Sequence, residues 1–273
     1  MSAFLDDMAA GSRARAAAAR RARPQAELER AARAASPPPP LQLSAAGFDL
    51  IAELKLRSPA AGQLRGADEN VPARVGAYAR AGAAAISVLT EPSRFAGSLE
   101  HLAEAARALT PLAVPALRKD FLVDPYQVLE ARAAGAGGVL VILRMLARAE
   151  IDALLDCARQ LGLFVLLEAF DAADIALMHE LLAQPRQPRL LAGVNCRDLV
   201  TLEVVPQRLI ELAPLLPQGV PRVAESGVAS AADARRVAAA GYALALVGSA
   251  LMTGADPEAL ARELLAAGRA ERA

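Results

Sequence analysis

From residue 50 onward the chain alternates short apolar runs with longer stretches rich in Ala, Leu and Arg. The runs are Leu50–Leu54, Ala84–Leu89, Val114–Leu117, Gly138–Ile142, Phe164–Leu167, Leu190–Val194, Arg222–Ala224 and Ala243–Val247. They are continuous rather than alternating in polarity, as strands of a parallel sheet buried on both faces must be. They recur every roughly 20 to 35 residues, room for one helix and two loops. Strict alternation of this kind predicts a parallel α/β fold. An open doubly wound sheet is the rival, but its glycine-rich turn after the first strand has no counterpart after Leu54. Eight units in 273 residues fit a (β/α)8 TIM barrel, a fold of about 250 residues.

Ahead of the first strand the pattern changes. Residues 1–35 predict an extra N-terminal helical extension, Arg- and Ala-rich over 12–34. Asp6, Asp7, Glu27 and Glu29 interrupt it, so it reads as an amphipathic helix with a solvated basic face and not as an acid-poor targeting segment. Ser36-Pro37-Pro38-Pro39-Pro40 cannot be helical and opens an extended connector over residues 36–48. The expected organisation is one barrel domain over 1–273 that carries this extension.

Composition narrows the class. Hydrophobic residues are 55% of the chain, enough for a large core and incompatible with global disorder. Thirty basic residues balance thirty acidic ones, so no net field favours nucleic acid or an anionic membrane. The apolar runs are far shorter than the roughly 20 residues a membrane-spanning helix needs. Cys157 and Cys196 are the only cysteines and form no disulfide framework or zinc spacing. His101 and His179 stand in helical surroundings without a second candidate ligand, so a metal enzyme is not expected. A reducing cytoplasm is the natural compartment.

Barrel enzymes keep their chemistry at the C-terminal ends of the strands. Here those ends read Glu53-Leu54-Lys55, Arg118-Lys119-Asp120, Glu168, Asn195-Cys196-Arg197, Glu225-Ser226-Gly227 and Gly248-Ser249. Lysine occurs twice among thirty basic residues, and both lysines, Lys55 and Lys119, fall at such ends. Arginine cannot give up its proton near neutral pH, whereas a partly buried ammonium can. A site that moves protons is therefore where arginine fails to substitute. Glu53 and Lys55, two apart on a strand, point to the same side of the sheet. Taken alone they could be a structural ion pair. Glu168 and Glu225 each follow an apolar strand and need partners to stay ionised; Lys55, Lys119 and Arg197 are available.

Ser226-Gly227 and Gly248-Ser249 follow strands seven and eight, where barrels commonly bind phosphate through backbone N–H groups. Singly, each is an ordinary turn; together they point to a phosphorylated substrate. Ser58-Pro59 and Gly62, after strand one, could close over the same group.

These residues resemble the indole-3-glycerol-phosphate synthases of tryptophan biosynthesis. The likeness runs through Ile51-Ala52-Glu53-Leu54-Lys55 with Arg57-Ser58-Pro59, and Ser87-Val88-Leu89-Thr90-Glu91 with Phe95. It continues in Leu117-Arg118-Lys119-Asp120-Phe121, Asp124-Pro125-Tyr126-Gln127 and Gly193-Val194-Asn195-Cys196-Arg197-Asp198-Leu199. Ala224-Glu225-Ser226-Gly227 and Val247-Gly248-Ser249-Ala250-Leu251-Met252 complete it. The resemblance implies a carboxy-lyase without cofactor or metal, closing the ring of 1-(2-carboxyphenylamino)-1-deoxyribulose 5-phosphate with loss of CO₂ and water. It implies Lys119 as the general acid of ring closure. Glu168 and Lys55 would manage the later proton transfers, and Lys55 would also pair with the substrate carboxylate. Glu53, Asn195 and Glu225 would hold the lysines and sugar hydroxyls. Arg197 belongs to the same polar ring, and Ser58 to the substrate- and phosphate-binding set with Ser226, Gly227, Gly248 and Ser249. Phe95, Phe121, Leu140 and Leu199 would surround the aromatic ring. Other enzymes of tryptophan biosynthesis are the candidate protein partners.

The chain departs from the family pattern in four places. The first loop reads Ser58-Pro59-Ala60-Ala61-Gly62 and lacks the family's lysine. Glu168-Ala169-Phe170-Asp171 replaces Glu-x-His-Asp. Gly135-Ala136-Gly137 replaces Gly-Ala-Asp. The proline run stands in place of an Arg/Phe-containing stretch that helps cover the family's active site, so the cover is expected to differ here. Two other functions compete. An Amadori isomerase would favour a Cys or Asp base after strand one. A non-catalytic binding barrel would have let its strand-end lysines drift to arginine.

Overall fold

The computed structural model describes residues 3–66, 68–185 and 187–272. Its centre is a closed barrel of eight parallel strands: β1 (Asp49–Leu54), β2 (Ala85–Leu89), β3 (Ala116–Lys119), β4 (Gly138–Ile142), β5 (Phe164–Ala169), β6 (Leu190–Asn195), β7 (Arg222–Glu225) and β8 (Leu244–Val247). Each strand pairs with its sequence neighbours, and β1 closes the ring by pairing with β8 at Ile51↔Leu246. All eight predicted strands are present, with ends moved by a residue or two. The shifts matter at β5, β6 and β7, which run on to include Glu168, Asn195 and Glu225.

Two apolar layers follow from the period-two alternation of each strand. Ile51, Ala85, Leu117, Leu140, Leu166, Leu191, Val223 and Leu244 turn inward and fill the barrel. Their neighbours Leu50, Ala52, Ile86, Val139, Val165 and Ala245 turn outward against the surrounding helices. Both faces being buried is why the strands read as unbroken apolar runs. The helices start on local signals: Asn70, Ser98, Asp124, Asp171 and Ser230 each accept a backbone N–H of the first turn. His101 and His179 lie within two of these helices.

The N-terminal extension is two helices, α1 (Ala3–Ala22) and α2 (Gln25–Ala34), and not one amphipathic helix over 12–34. Pro24 forces the break, since it cannot continue a helix from the preceding turn. The amphipathic character expected of this segment is present in α1. Leu5, Met8, Ala9, Ser12 and Ala16 form a buried stripe on it. Tyr126 donates its hydroxyl to Ala19 O and Arg23 O, and Gln127 Nε2 donates to Ser12 Oγ. The stripe lies over the C-terminal mouth of the barrel, packed with Phe121, Val123, Met145 and Phe170.

The proline connector goes to the opposite end. Gly137, just ahead of β4, faces Pro38 and Pro39. Arg189, just ahead of β6, donates to Leu41 O. Leu41 is buried in the interior cluster and plugs the barrel floor. Ser44 N then donates to Asp49 at the start of β1. The expectation that the proline run alters the cover above the site is therefore corrected: this segment seals the floor, and α1 is the cover. Floor packing also explains Gly138, whose hydrogen leaves space that the ring of Phe164 occupies.

Candidate active site

The C-terminal ends of β1, β3, β5, β6 and β7 project a connected set of charges into the mouth. On β1, Glu53 and Lys55 are paired at 2.7 Å. On β3, Lys119 Nζ lies 3.1 Å from Glu168 of β5 and 3.8 Å from Glu225 of β7. Asn195 of β6 donates through Nδ2 to Glu168 Oε1 at 3.0 Å, and its Oδ1 accepts Arg197 N–H. Arg197 is no partner of these carboxylates, contrary to one of the pairings considered from sequence. Its guanidinium donates to Leu202 O at 2.6 Å, folding back along its own loop.

Burial and charge set the protonation of this cluster. Desolvation pulls the Lys119 ammonium down, but the charges of Glu168, Glu225 and Glu53 outweigh it and hold the group above the ordinary lysine value. A lysine chosen over arginine for proton transfer is expected to lose its proton readily, but here the surrounding carboxylates favour the charged form. Glu225 goes the other way. Burial first, and the adjacent Glu168 charge second, raise its pKa well above the usual carboxylate value, with Lys119 only partly opposing them. Three carboxylates facing two ammonium groups leave one negative charge in excess, which is why Glu225 is the carboxyl whose pKa is driven up. Among the described residues, neither Glu225 oxygen has a hydrogen-bond partner. A buried carboxyl whose pKa is raised, and which meets Lys119 only at 3.8 Å, is suited to a ligand hydroxyl.

Two glycines make the cluster sterically feasible. A Cβ on Gly193 of β6 would overlap Glu225 Oε1. A Cβ on Gly248 would overlap Glu53 Oε1 and lie 2.9 Å from Lys55 Nζ. Gly248 thus serves the ion pair as well as the turn after β8. Ser226 and Gly227 both adopt left-handed backbone, φ 67° and 72°, a conformation that costs serine on the order of 1 kcal/mol or more.

These groups open into one cavity of about 510 Å³. Lys119, Lys55, Glu168, Glu53, Asn195, Glu225, Arg197, Ser58, Phe95, Phe121, Leu140, Leu199, Ser226, Gly227, Gly248 and Ser249 all line it, whereas Gly62, expected to close over the phosphate, is exposed and does not. One flank is polar and glycine-rich, with Ser58, Ser226, Gly227, Gly248 and Ser249. The other is aromatic: Phe95 and Phe121 ring centroids are 6.0 Å apart. Sequence reasoning missed Phe4, Leu5 and Phe170, which line the same cavity. Phe4 meets Phe121 edge-on at 5.9 Å, and Phe170 stands where the family histidine is absent, with the Arg144 guanidinium over its ring. The signal for Phe4 and Leu5 was legible as the apolar start of the stripe on α1. Nothing in sequence said that this stripe covers the mouth.

Among the described residues, no group of three His, Cys, Asp or Glu is placed to hold a metal ion, and no helix is long and apolar enough to cross a membrane. Cys157 and Cys196 are both free thiols.

Solved structures share the barrel at low identity. 3-Hexulose-6-phosphate synthase from Salmonella typhimurium superposes with a TM-score of 0.62 at 15% identity, covering 82% of this chain and 99% of that one. Tryptophan synthase from M. tuberculosis gives 0.55 at 17%, covering 81% and 93%. At such identities the likeness concerns fold alone. Sequence relatives reach further. The chain is 44% identical over 227 residues to indole-3-glycerol phosphate synthase of Parafrankia sp., covering 83% of this chain and 81% of the relative. It is 41% identical over 271 residues to the Mycobacterium tuberculosis protein of that name, covering 97% and 94%. The family's sequence model, described as indole-3-glycerol phosphate synthase, matches residues 5–264. With near-complete coverage from both directions, this chain belongs to the indole-3-glycerol phosphate synthase family.

Proposed function

We propose that the cavity converts 1-(2-carboxyphenylamino)-1-deoxyribulose 5-phosphate to indole-3-glycerol phosphate, CO₂ and water. The observation that carries this reading is Lys119, a charged donor fixed between Glu168 and Glu225 in a cavity with one aromatic and one glycine-rich flank. Such a cavity matches a substrate with an aromatic acid at one end and a phosphate at the other.

In this reading Phe95, Phe121, Leu140 and Leu199 hold the aromatic ring, and Lys55 pairs with its carboxylate. Ser58, Ser226, Gly227, Gly248 and Ser249 receive the phosphate through hydroxyl and backbone N–H donors. Arg197 lines the span between these ends, and the Glu225 carboxyl meets a sugar hydroxyl. The ring carbon bearing the carboxylate attacks the ketone carbon. The carbonyl oxygen gains charge as that bond forms, and Lys119 donates a proton to it; a donor already aimed there lowers the barrier. Breaking the C–CO₂ bond returns its electrons to the ring and restores aromaticity. The new hydroxyl then leaves as water with a proton from Lys55, while Glu168 takes a proton from the adjacent methylene carbon. Glu53 keeps Lys55 charged and in place, and Asn195 does the same for Glu168.

The helical extension, the connector and the barrel act as one unit over 1–273, because Phe4 and Leu5 complete the cavity. A reducing cytoplasm suits the two free thiols. The test is direct: the folded protein supplied with the carboxyphenylamino-deoxyribulose phosphate develops indole fluorescence. Absence of that signal in folded protein overturns the reading.

A further inference from the structure

Arg15 lies on α1, eleven residues and about three turns beyond Phe4, and so on the same face of the helix. Its guanidinium reaches two carboxylates from different strand-end loops. One is Glu91, after β2, at 3.4 Å; the other is Asp120, after β3, at 3.0 Å. The Glu91 side chain is 0% exposed and that of Asp120 1%, while Arg15 is 30% exposed.

Each carboxylate is the organiser of an aromatic wall. Glu91 caps the turn Pro92–Phe95: its oxygens accept Ser93 N–H, Arg94 N–H and, at 3.3 Å, Phe95 N–H. Asp120 accepts Phe121 N–H at 2.8 Å, and is tied to Thr90 and Arg118 behind it. Phe95 and Phe121 are in turn neighbours, and Phe121 meets Phe4 of the same helix that carries Arg15. The loop that bears Phe95, the loop that bears Phe121 and the helix that bears Phe4 thus converge on one guanidinium.

We infer that Arg15 is a positioning residue for the aromatic end of the substrate: it locks the α1 cover to both ring-bearing loops and sets the width of the slot between Phe4, Phe95 and Phe121. This rests on the proposed synthase reading, since it assigns the ring to that slot. Arg15 does not touch the reacting atoms. A fork-shaped cation is suited to the place because it bridges two carboxylates at once, which an ammonium does poorly. Removing it takes the cation from two buried carboxylates, and both loops lose their common anchor even though Asp120 keeps Arg118 and Glu91 keeps its backbone donors.

The experiment is steady-state kinetics on full-length Arg15→Ala and Arg15→Lys, with 2-aminobenzoate and inorganic phosphate as competitive inhibitors that probe the two ends separately. KM for the full substrate is expected to rise about tenfold in Arg15→Ala, with kcat falling less than KM rises, and to take an intermediate value in Arg15→Lys. Inhibition by 2-aminobenzoate is expected to weaken in parallel, while inhibition by phosphate stays at the wild-type value. A merely structural arginine would lower the melting temperature and leave these ratios unchanged. If Arg15→Ala does not fold, Arg15→Met keeps the apolar stem of the side chain and carries the same expectation. Wild-type KM and 2-aminobenzoate inhibition in a folded variant overturn the inference, as does an equal weakening of phosphate. An inactive wild-type protein would instead overturn the synthase reading, so the two failures are distinct.

Discussion

Lys119 and Lys55 stand at the ends of β3 and β1 of the same barrel, yet their surroundings differ. Lys119 faces two carboxylates, Glu168 and Glu225, each from another strand, and the balance of charge over burial holds it protonated. Lys55, just past the end of β1, pairs among the described residues with Glu53, two residues earlier on that strand, with Gly248 leaving the space. A lysine held by groups from two other strands has its position defined by the closed barrel. A lysine held by its own strand keeps freedom to follow a substrate carboxylate. The difference separates a fixed donor for the charge-developing step from a more adaptable one for binding and later proton transfer.

Substitutions that keep charge but alter shape and acidity break this comparison most sharply. Lys119→Arg is expected to lower kcat about 10³-fold, within the range that general acid catalysis supplies, with the folded state retained. Lys55→Arg keeps a cation for the carboxylate and is expected to lose only about tenfold to a hundredfold, part of it in KM. Indole fluorescence progress curves give both values. A larger loss at Lys55 than at Lys119 would reverse the assignment of roles.

Next in size is Gly248→Ala, whose methyl meets the Glu53–Lys55 pair first and would displace it. About tenfold lower kcat/KM is expected. If Gly248 serves phosphate alone, inhibition by inorganic phosphate changes in step with activity; if it also serves the pair, activity falls further than phosphate binding does.

The smallest effect sharpens the Lys119 side. Glu225 has a folded-state pKa above its unfolded value, so the native state binds more protons than the unfolded chain above the ordinary carboxylate pKa. Its contribution to stability is therefore favourable in acid and declines as pH rises toward the raised value. Glu225→Gln removes that dependence. The melting temperature of the variant relative to wild type is expected to be higher at pH 8 than at pH 5. A constant difference across that interval would show that Glu225 is ionised throughout.

The barrel itself was legible because burial on both faces leaves its mark in every strand, as in the unbroken run Gly138–Ile142. The site was legible for a related reason: each functional group ends a strand, so finding the strand finds the group. The cover was not legible. Pro24 announces a break, but the direction taken by α1 depends on Tyr126, Gln127 and the floor contact of Leu41, all far away in sequence. Phe4 and Leu5 line the cavity only because of that direction, whereas Phe170 lines it from the exit of β5, at the position where the chain departs from the family histidine.

By itself, then, the sequence determined the strand count, the class of fold and which side chains ring the mouth, since these follow from local periodicity and a closed repeating topology. Tertiary structure alone decided that the proline run seals the floor while α1 roofs the cavity. It alone decided that Arg197 turns to Leu202 O instead of a carboxylate. It also reversed the expected state of Lys119, because a pKa depends on charges summed over strands that only the closed barrel brings together.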